Sequence, residues 1–296
     1  AANRWLSDGV YILDIHPFPN YSVSSEDADR STLPDVGEFP NLRFPDLEKT
    51  TLSNGMKVIL AERHDIPVVD FNWLFDAGYA ADQFGLAGTA SMAMGMLDEG
   101  TKTRSALVIS AEKDRLGANL WSGSGLDICN VRLSALRENL DESLALAADM
   151  ILNPVFPEYE LPRLKKQRMA RIRQEKVRPF SMALRVFPQL VYGQDHAYSN
   201  PLTGSGTEAS TMAMTREDLA DFHNTWLQPN NSTLVVVGDI TLEELVPKLE
   251  KNFSRWNNTS TPPVKNINDV AQAAKSRVFL IDKHGSVQSV LIAGHL

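Results

Sequence analysis

Six histidines, at positions 16, 64, 196, 223, 284 and 295, and the single cysteine, Cys129, are the side chains best suited to hold a transition metal. A catalytic zinc takes three protein ligands, and its common local form places two histidines on one helical face with a glutamate beside them as general base. No two of the six histidines lie within a helical turn of each other, so neither H-E-x-x-H nor H-x-x-E-H occurs. Only a site assembled from distant residues is left for a metal. Nucleophilic catalysis is served no better. G-x-S-x-G is absent, and Gly204-Ser205-Gly206 falls in a polar stretch where Ser205 reads as a turn residue. Cys129 sits in an apolar strand as a small packing residue, and alone it forms neither an internal disulfide nor a cysteine zinc cluster. Gly85, Gly88, Gly95 and Gly100 match neither G-x-G-x-x-G nor a P-loop and read as close helix packing. His223 shares a helical face with Leu219 and Trp226, as a core histidine does, whereas His196 lies in the turn-rich Tyr192–Gly204, whose residues answer to loop geometry. The basic run Arg163–Arg173 reads as a solvated helix face, with an acidic partner as its alternative.

These groups need a scaffold, and the 296 residues suffice for roughly two domains. With 43% hydrophobic and 22% charged residues the chain is globular, and a net charge of -8 gives no attraction to nucleic acid or to an anionic lipid surface. No stretch approaches the roughly 20 apolar residues that span a bilayer. The chain begins Ala1-Ala2-Asn3 without Met or a signal-like leader and ends on a strand pattern at Leu296, which reads as an excised piece. After an apolar run at Val10–Ile15 and a stretch holding Pro17, Pro19, Pro34, Pro40 and Pro45, strands Glu48–Ser53 and Met56–Glu62 flank Asn54-Gly55, a hairpin signal. Val68–Phe75 is a third strand, and Asn119–Leu136 holds two more, broken at Gly123 and Gly125. Helices are expected over Gly85–Leu97, Ser105–Arg115, Leu140–Ile151, Glu158–Glu175 and Ser181–Val191, and around Leu219–Trp226. Ser232–Val237 is a strand, and Thr241-x-x-Glu244 is a capping box opening a helix that Pro247 kinks. Asn257–Ala274 is a polar linker, with two strands after it. The order predicts an α+β fold, an antiparallel or mixed sheet with helices packed on one face.

Three stretches in this order resemble the insulinase/pitrilysin family of zinc metallopeptidases, which carry H-x-x-E-H. Leu52-Ser-Asn-Gly55-Met-Lys-Val, with the following strand ending in Asp76-Ala77-Gly78, resembles the family's opening strands. Tyr192–Gly204 is similar to its H-x-Y-x-x-P-x-x-G stretch, and Thr215–Asp239 to its helix, Pro-x-Asn turn and strand ending in Gly-Asp. Between the first and second lies Gly88-Thr-Ala-Ser-Met-Ala-Met-Gly-Met-Leu-Asp-Glu-Gly-Thr101, similar to G-x-A-H-x-x-E-H-M-x-x-x-G-T. Ser91 stands for the first histidine, Met94 for the glutamate base and Gly95 for the second histidine. The third ligand, a later glutamate, falls near Arg171, where the nearest acid is Glu175. Met is no general base and Gly is no ligand, so metal binding and water activation are both lost.

Family members pair two similar halves that close like a clamshell, one carrying zinc and the other often degenerate. The resemblance therefore implies the middle of a tandem peptidase. Residues 1–47 would be the tail of a preceding half and a Pro-rich connector, 48–256 the peptidase-like domain, 257–274 a linker and 275–296 the truncated start of a following domain. No catalytic, cofactor-binding or metal-ligating residue is assigned to the chain. Zinc is expected only in a partner half, of the same or another chain, and the partners are that half and a peptide substrate, with no nucleic acid and no membrane insertion. The implied role is a non-catalytic wall of the substrate chamber opposite the zinc half. Its rival is a structural or assembly subunit without peptidase activity. The compartment stays open, an extracytoplasmic one included.

Overall fold

A computed structural model of the chain describes residues 45–296 except 259 and 273, together with Asp14 and Gly37. The chain divides into Ala1–Phe44 and Pro45–Leu296. The apolar run at Val10–Ile15, apart from Asp14, and the prolines before Pro45 lie outside the described residues.

Asn54-Gly55 makes the expected hairpin between β1 (Glu48–Thr51) and β2 (Lys57–Glu62), with Gly55 at φ 91° and the Asn54 side chain accepting from the Met56 N–H at 3.0 Å. β3 (Val68–Asp76), β4 (Asn119–Ser124), β5 (Ile128–Leu136) and β6 (Ser232–Gly238) complete a sheet ordered β1-β2-β6-β3-β5-β4. Its pairs are antiparallel except β2 with β6. The twofold alternation decides which face is covered. Val69, Phe71, Trp73 and Phe75 of β3 are buried, as are Val58, Leu60, Leu234 and Val236 beside them, while Lys57, Asp70 and Arg132 on the other face are exposed.

The helices supply the cover. α1 (Thr89–Gly95), α2 (Ala106–Leu116), α3 (Leu140–Leu152), α4 (Leu161–Glu175), α5 (Pro179–Tyr192), α6 (Glu208–Ala213), α7 (Arg216–Trp226) and α8 (Leu242–Phe253) follow in chain order. Leu144, Ala147 and Ile151 of α3 and Leu245, Leu249 and Phe253 of α8 are buried in one cluster with the inward strand residues, and the Phe253 ring lies 5.7 Å from that of Trp73. Each of the leucine, isoleucine and phenylalanine side chains, fully buried, is worth about 1.5–3 kcal/mol. The fold is the expected α+β layering.

Four local expectations change. The helix expected over Gly85–Leu97 shortens to α1, because Gly88 takes a left-handed φ of 95° and separates it from a 3-10 turn at Tyr79–Phe84. The expected start at Glu158 moves to Leu161, with Pro162 in the first turn. At α8 only half the capping box forms. Thr241 accepts from the Glu244 N–H, but the Glu244 carboxylate goes to Arg137 at 2.9 Å. The two strands expected after residue 274 are absent, and Val278, Leu280, Val287 and Leu291 are each over 90% exposed. A strand needs a ladder partner, and this segment pairs with none of the six strands. Within the polar stretch before it, Lys265 Nζ donates to Asp76 Oδ1 at 2.5 Å and Asn266 accepts from the Ala197 N–H at 2.9 Å. No helix among the described residues is long and apolar enough to cross a membrane.

Candidate functional site

α1 carries the three altered positions. Asp82, in the 3-10 turn before it, accepts from the Gly88 N–H at 2.7 Å and the Ala90 N–H at 2.8 Å, satisfying donors that a short helix leaves open. Burial pushes the Asp82 carboxyl up to about 7, although both N–H groups and the nearby Arg168 charge oppose the rise. Met94 points into the core, 1% exposed, and its carbonyl accepts from Ser122 Oγ at 2.6 Å. Gly95 faces outward, with nothing within 4 Å of where a Cβ would stand.

Ser91 lies between these two, and an arginine meets it. Arg168 of α4 donates from Nη1 to Ser91 Oγ at 2.8 Å and to the Gly204 carbonyl at 3.2 Å, and Ser91 Oγ itself donates to the Gly204 carbonyl. Arg168 is partly buried, which lowers its hold on the proton, and the like charge of Arg171 lowers it further. Two turns on from Arg168, Glu175 is buried and accepts from Ser205 Oγ at 2.6 Å, Arg185 Nη1 at 2.7 Å and Arg171 Nε at 3.1 Å. Burial alone would raise the Glu175 carboxyl, but these donors hold it below the usual carboxylate range. Arg185 also donates to Ser205 Oγ and to the Gly206 carbonyl, both at 2.7 Å.

The loop between these arginines and α1 must come very close to the helix start. Gly206 has a φ of 70°, and a Cβ there would stand 2.1 Å from the Ala87 carbonyl oxygen; across from it, a Cβ on Gly88 would lie 3.0 Å from that of Ser205. Packing therefore explains Gly88, as the sequence suggests, but not Gly85 or Gly95, which have open space around them.

Zinc does not fit this arrangement. A hydroxyl, a buried thioether and a bare glycine stand where the resemblance places two imidazoles and a carboxylate, and a guanidinium already touches the hydroxyl and would repel a dication. Among the described residues no group of three or more His, Cys, Asp or Glu side chains could hold a metal ion.

The other singled-out residues divide. His223 is buried, its Nε2 2.7 Å from the Ile151 carbonyl, and burial lowers its pKa, so it is a satisfied core histidine. His196 is also buried; its Nδ1 accepts from the Tyr198 N–H at 3.0 Å and its ring stacks on Tyr192 at 4.8 Å, which makes it a loop-shaping residue. Cys129 is sealed in the core, where burial pushes its thiol up to about 12. Two expectations need correction. Ser205 is not merely a turn residue, since it is 1% exposed and bonded to both Glu175 and Arg185. The basic run is not only a solvated face, since Arg168 turns inward onto Ser91. A signal for this was present: residues 168, 171 and 175 share one face of α4, and Glu175 is the helix's sole acid.

The insulinase (peptidase family M16) model matches residues 57–191, and the peptidase M16 inactive domain model matches residues 213–295. An uncharacterized zinc protease of Rickettsia bellii is 25% identical over 203 residues, 69% of this chain and 48% of that protein. A probable mitochondrial-processing peptidase subunit beta of Arabidopsis thaliana is 24% identical over 247 residues, 81% of this chain and 45% of that one. Among solved structures, a peptidase M16 inactive domain from Pseudomonas fluorescens superposes with a TM-score of 0.71 at 24% identity, covering 77% of this chain and 54% of its own. The chain spans about half the length of the curated relatives it matches.

Proposed function

The chain belongs to the insulinase (peptidase M16) family, and we propose that within it the chain is a non-catalytic module forming the wall of a peptide-holding chamber opposite a zinc-bearing half. The observation that carries this reading is the Ser91, Met94 and Gly95 set on α1, with Arg168 bonded to the first of them. The module keeps the family's layering around the altered helix while offering neither ligand nor base, so its contribution is surface rather than bond-breaking. Zinc and the general base then belong to the partner half, which lies in the same protein or in another chain, and the substrate is a peptide. Residues 48–256 would form the module, 257–274 a linker and 275–296 the opening of a following domain, whose strands would find their ladder there.

The test is reconstitution. The purified chain is assayed for zinc and for peptide cleavage, alone and mixed with an H-x-x-E-H half from the same parent protein. The expected result is no stoichiometric zinc in this chain, no cleavage by either half alone, and cleavage by the mixture. Zinc-dependent cleavage by this chain alone would overturn the reading. Full cleavage by the other half without it would favour the assembly role instead.

A further inference from the structure

Among the described residues Arg168 has no ion-pair partner. Among the described residues no carboxylate oxygen lies within 4.0 Å of it, although the carboxylates of Asp82 and Glu175 influence it from further away. Among the described residues only Nη1 is engaged, by Ser91 and the Gly204 carbonyl, and neither Nε nor Nη2 meets a hydrogen-bond partner there. Neither of those two nitrogens is sealed from solvent. A partly buried cation is ordinarily paired, and donors left over at the surface are free for a ligand.

The surroundings define the ligand. Arg171, three residues on along α4 and 59% exposed, contributes a second guanidinium whose Nη1 has no partner among the described residues. Glu175 is the one carboxylate bonded into the group, and Arg185 shares it. The group thus holds three guanidiniums to one bonded acid on a chain of net charge -8. The overall charge repels a polyanion, and two neighbouring planar forks match a single carboxylate.

We propose that Arg168 and Arg171 form a carboxylate-binding site that holds an acidic group of a peptide against the altered helix α1. The proposal rests on the reading of this chain as a peptide-holding wall and names the group that the wall takes. The carboxylate is an Asp or Glu side chain or a peptide C-terminus. It accepts from the open nitrogens of Arg168 and from Nη1 of Arg171, and completes the neutralisation that Glu175 begins.

Fluorescence anisotropy of three labelled ten-residue peptides, titrated with the full chain, tests it. One carries a central Glu and an amidated end, one carries Gln there and an amidated end, and one carries Gln and a free C-terminus. At least a ten-fold tighter Kd is expected for the Glu peptide, the free-terminus peptide, or both, over the amidated Gln peptide, and which of them gains identifies the carboxylate's source. The preference should vanish in Arg168→Gln and in Arg171→Gln and persist in Arg115→Gln, a control on α2. Arg171 is exposed, so its variant remains informative even where loss of Arg168 disturbs folding. Equal Kd values for all three peptides, or a preference surviving Arg171→Gln, would overturn the carboxylate site while leaving a peptide-holding wall standing. No binding of any peptide would overturn both.

Discussion

Asp149 and Glu175 are both buried carboxylates on helices, and their surroundings differ in one respect. Asp149, on α3, accepts from Thr101 Oγ1 at 2.6 Å, Thr103 Oγ1 at 2.8 Å, Arg104 Nη1 at 2.8 Å and Asn153 Nδ2 at 3.0 Å. Its one cation, Arg104, is shared with Glu112 at 2.9 Å, so acids outnumber arginines in that cluster by two to one and the arginine is paired twice. Glu175 is equally well bonded but stands among three arginines, one of which has no anion of its own. The first cluster spends its donors on stapling the 101–104 loop to α3. The second does the same between α4, α5 and the 203–206 loop and has donors left over, at the place where the family motif has lost its chemistry.

The sharpest way to break this comparison is Arg185→Met. It leaves the Glu175 charge with the exposed Arg171 as its one bonded cation, beside the Ser205 and Thr203 hydroxyls, and a buried pair broken from one side costs about 3–5 kcal/mol. Urea unfolding against the unmodified chain measures it, and a loss below about 1 kcal/mol would mean that Arg168 swings over to pair with Glu175. Asp149→Ala comes next. It removes the acceptor from two threonine hydroxyls and one arginine, for an expected loss of about 2–3 kcal/mol in the same assay.

Acid titration separates these two carboxylates from Asp82. In Asp149 burial is outweighed by Thr101, Thr103, Arg104 and Asn153, and in Glu175 by its own donors, so both are held below their ordinary values. Their stabilisation is present above the usual carboxylate range and is lost as pH falls through their lowered folded values. Asp82 runs the other way. Its folded value, raised by burial from 3.8 to about 7, lets the folded state bind more protons than the unfolded one across that window. The Asp82 contribution to stability therefore declines as pH rises from 3.8 to about 7 and levels off above it. Asp82→Asn should flatten that decline while leaving the loss at lower pH in place, which thermal unfolding across the pH range checks. The smallest expected effect is on the stability of Arg171→Gln. Its side chain is 59% exposed, so the change should stay within about 1 kcal/mol, which keeps its peptide-binding readout clean.

What could be read in order along the chain was read well. Alternating apolar residues in β3, Asn54-Gly55 between β1 and β2, and Ser105 and Gly117 at the ends of α2 are local signals, and each element formed where its signal lay. The unfilled frame of Gly88–Thr101 was equally plain, because a missing histidine is a matter of residue identity. Signals that depend on a partner misled. The apolar alternation after residue 274 suggested strands, yet a strand is made by its neighbour. Glu244 completed a capping-box pattern, but Arg137 lies 107 residues away in sequence and took its carboxylate.

Residue order alone was enough for the strands and most helices between residues 48 and 253 and for the absence of H-x-x-E-H, since periodicity and identity are properties of short segments, but not for the short helix α6. Only the tertiary structure decided that β6 enters between β2 and β3, and that Arg168 reaches Ser91 across 77 residues. It also decided that Ser205 and Arg185 bury Glu175 rather than face solvent. Those outcomes depend on which charges burial brings together and which donors it leaves unpaired, and that balance is set only when distant segments share one interior.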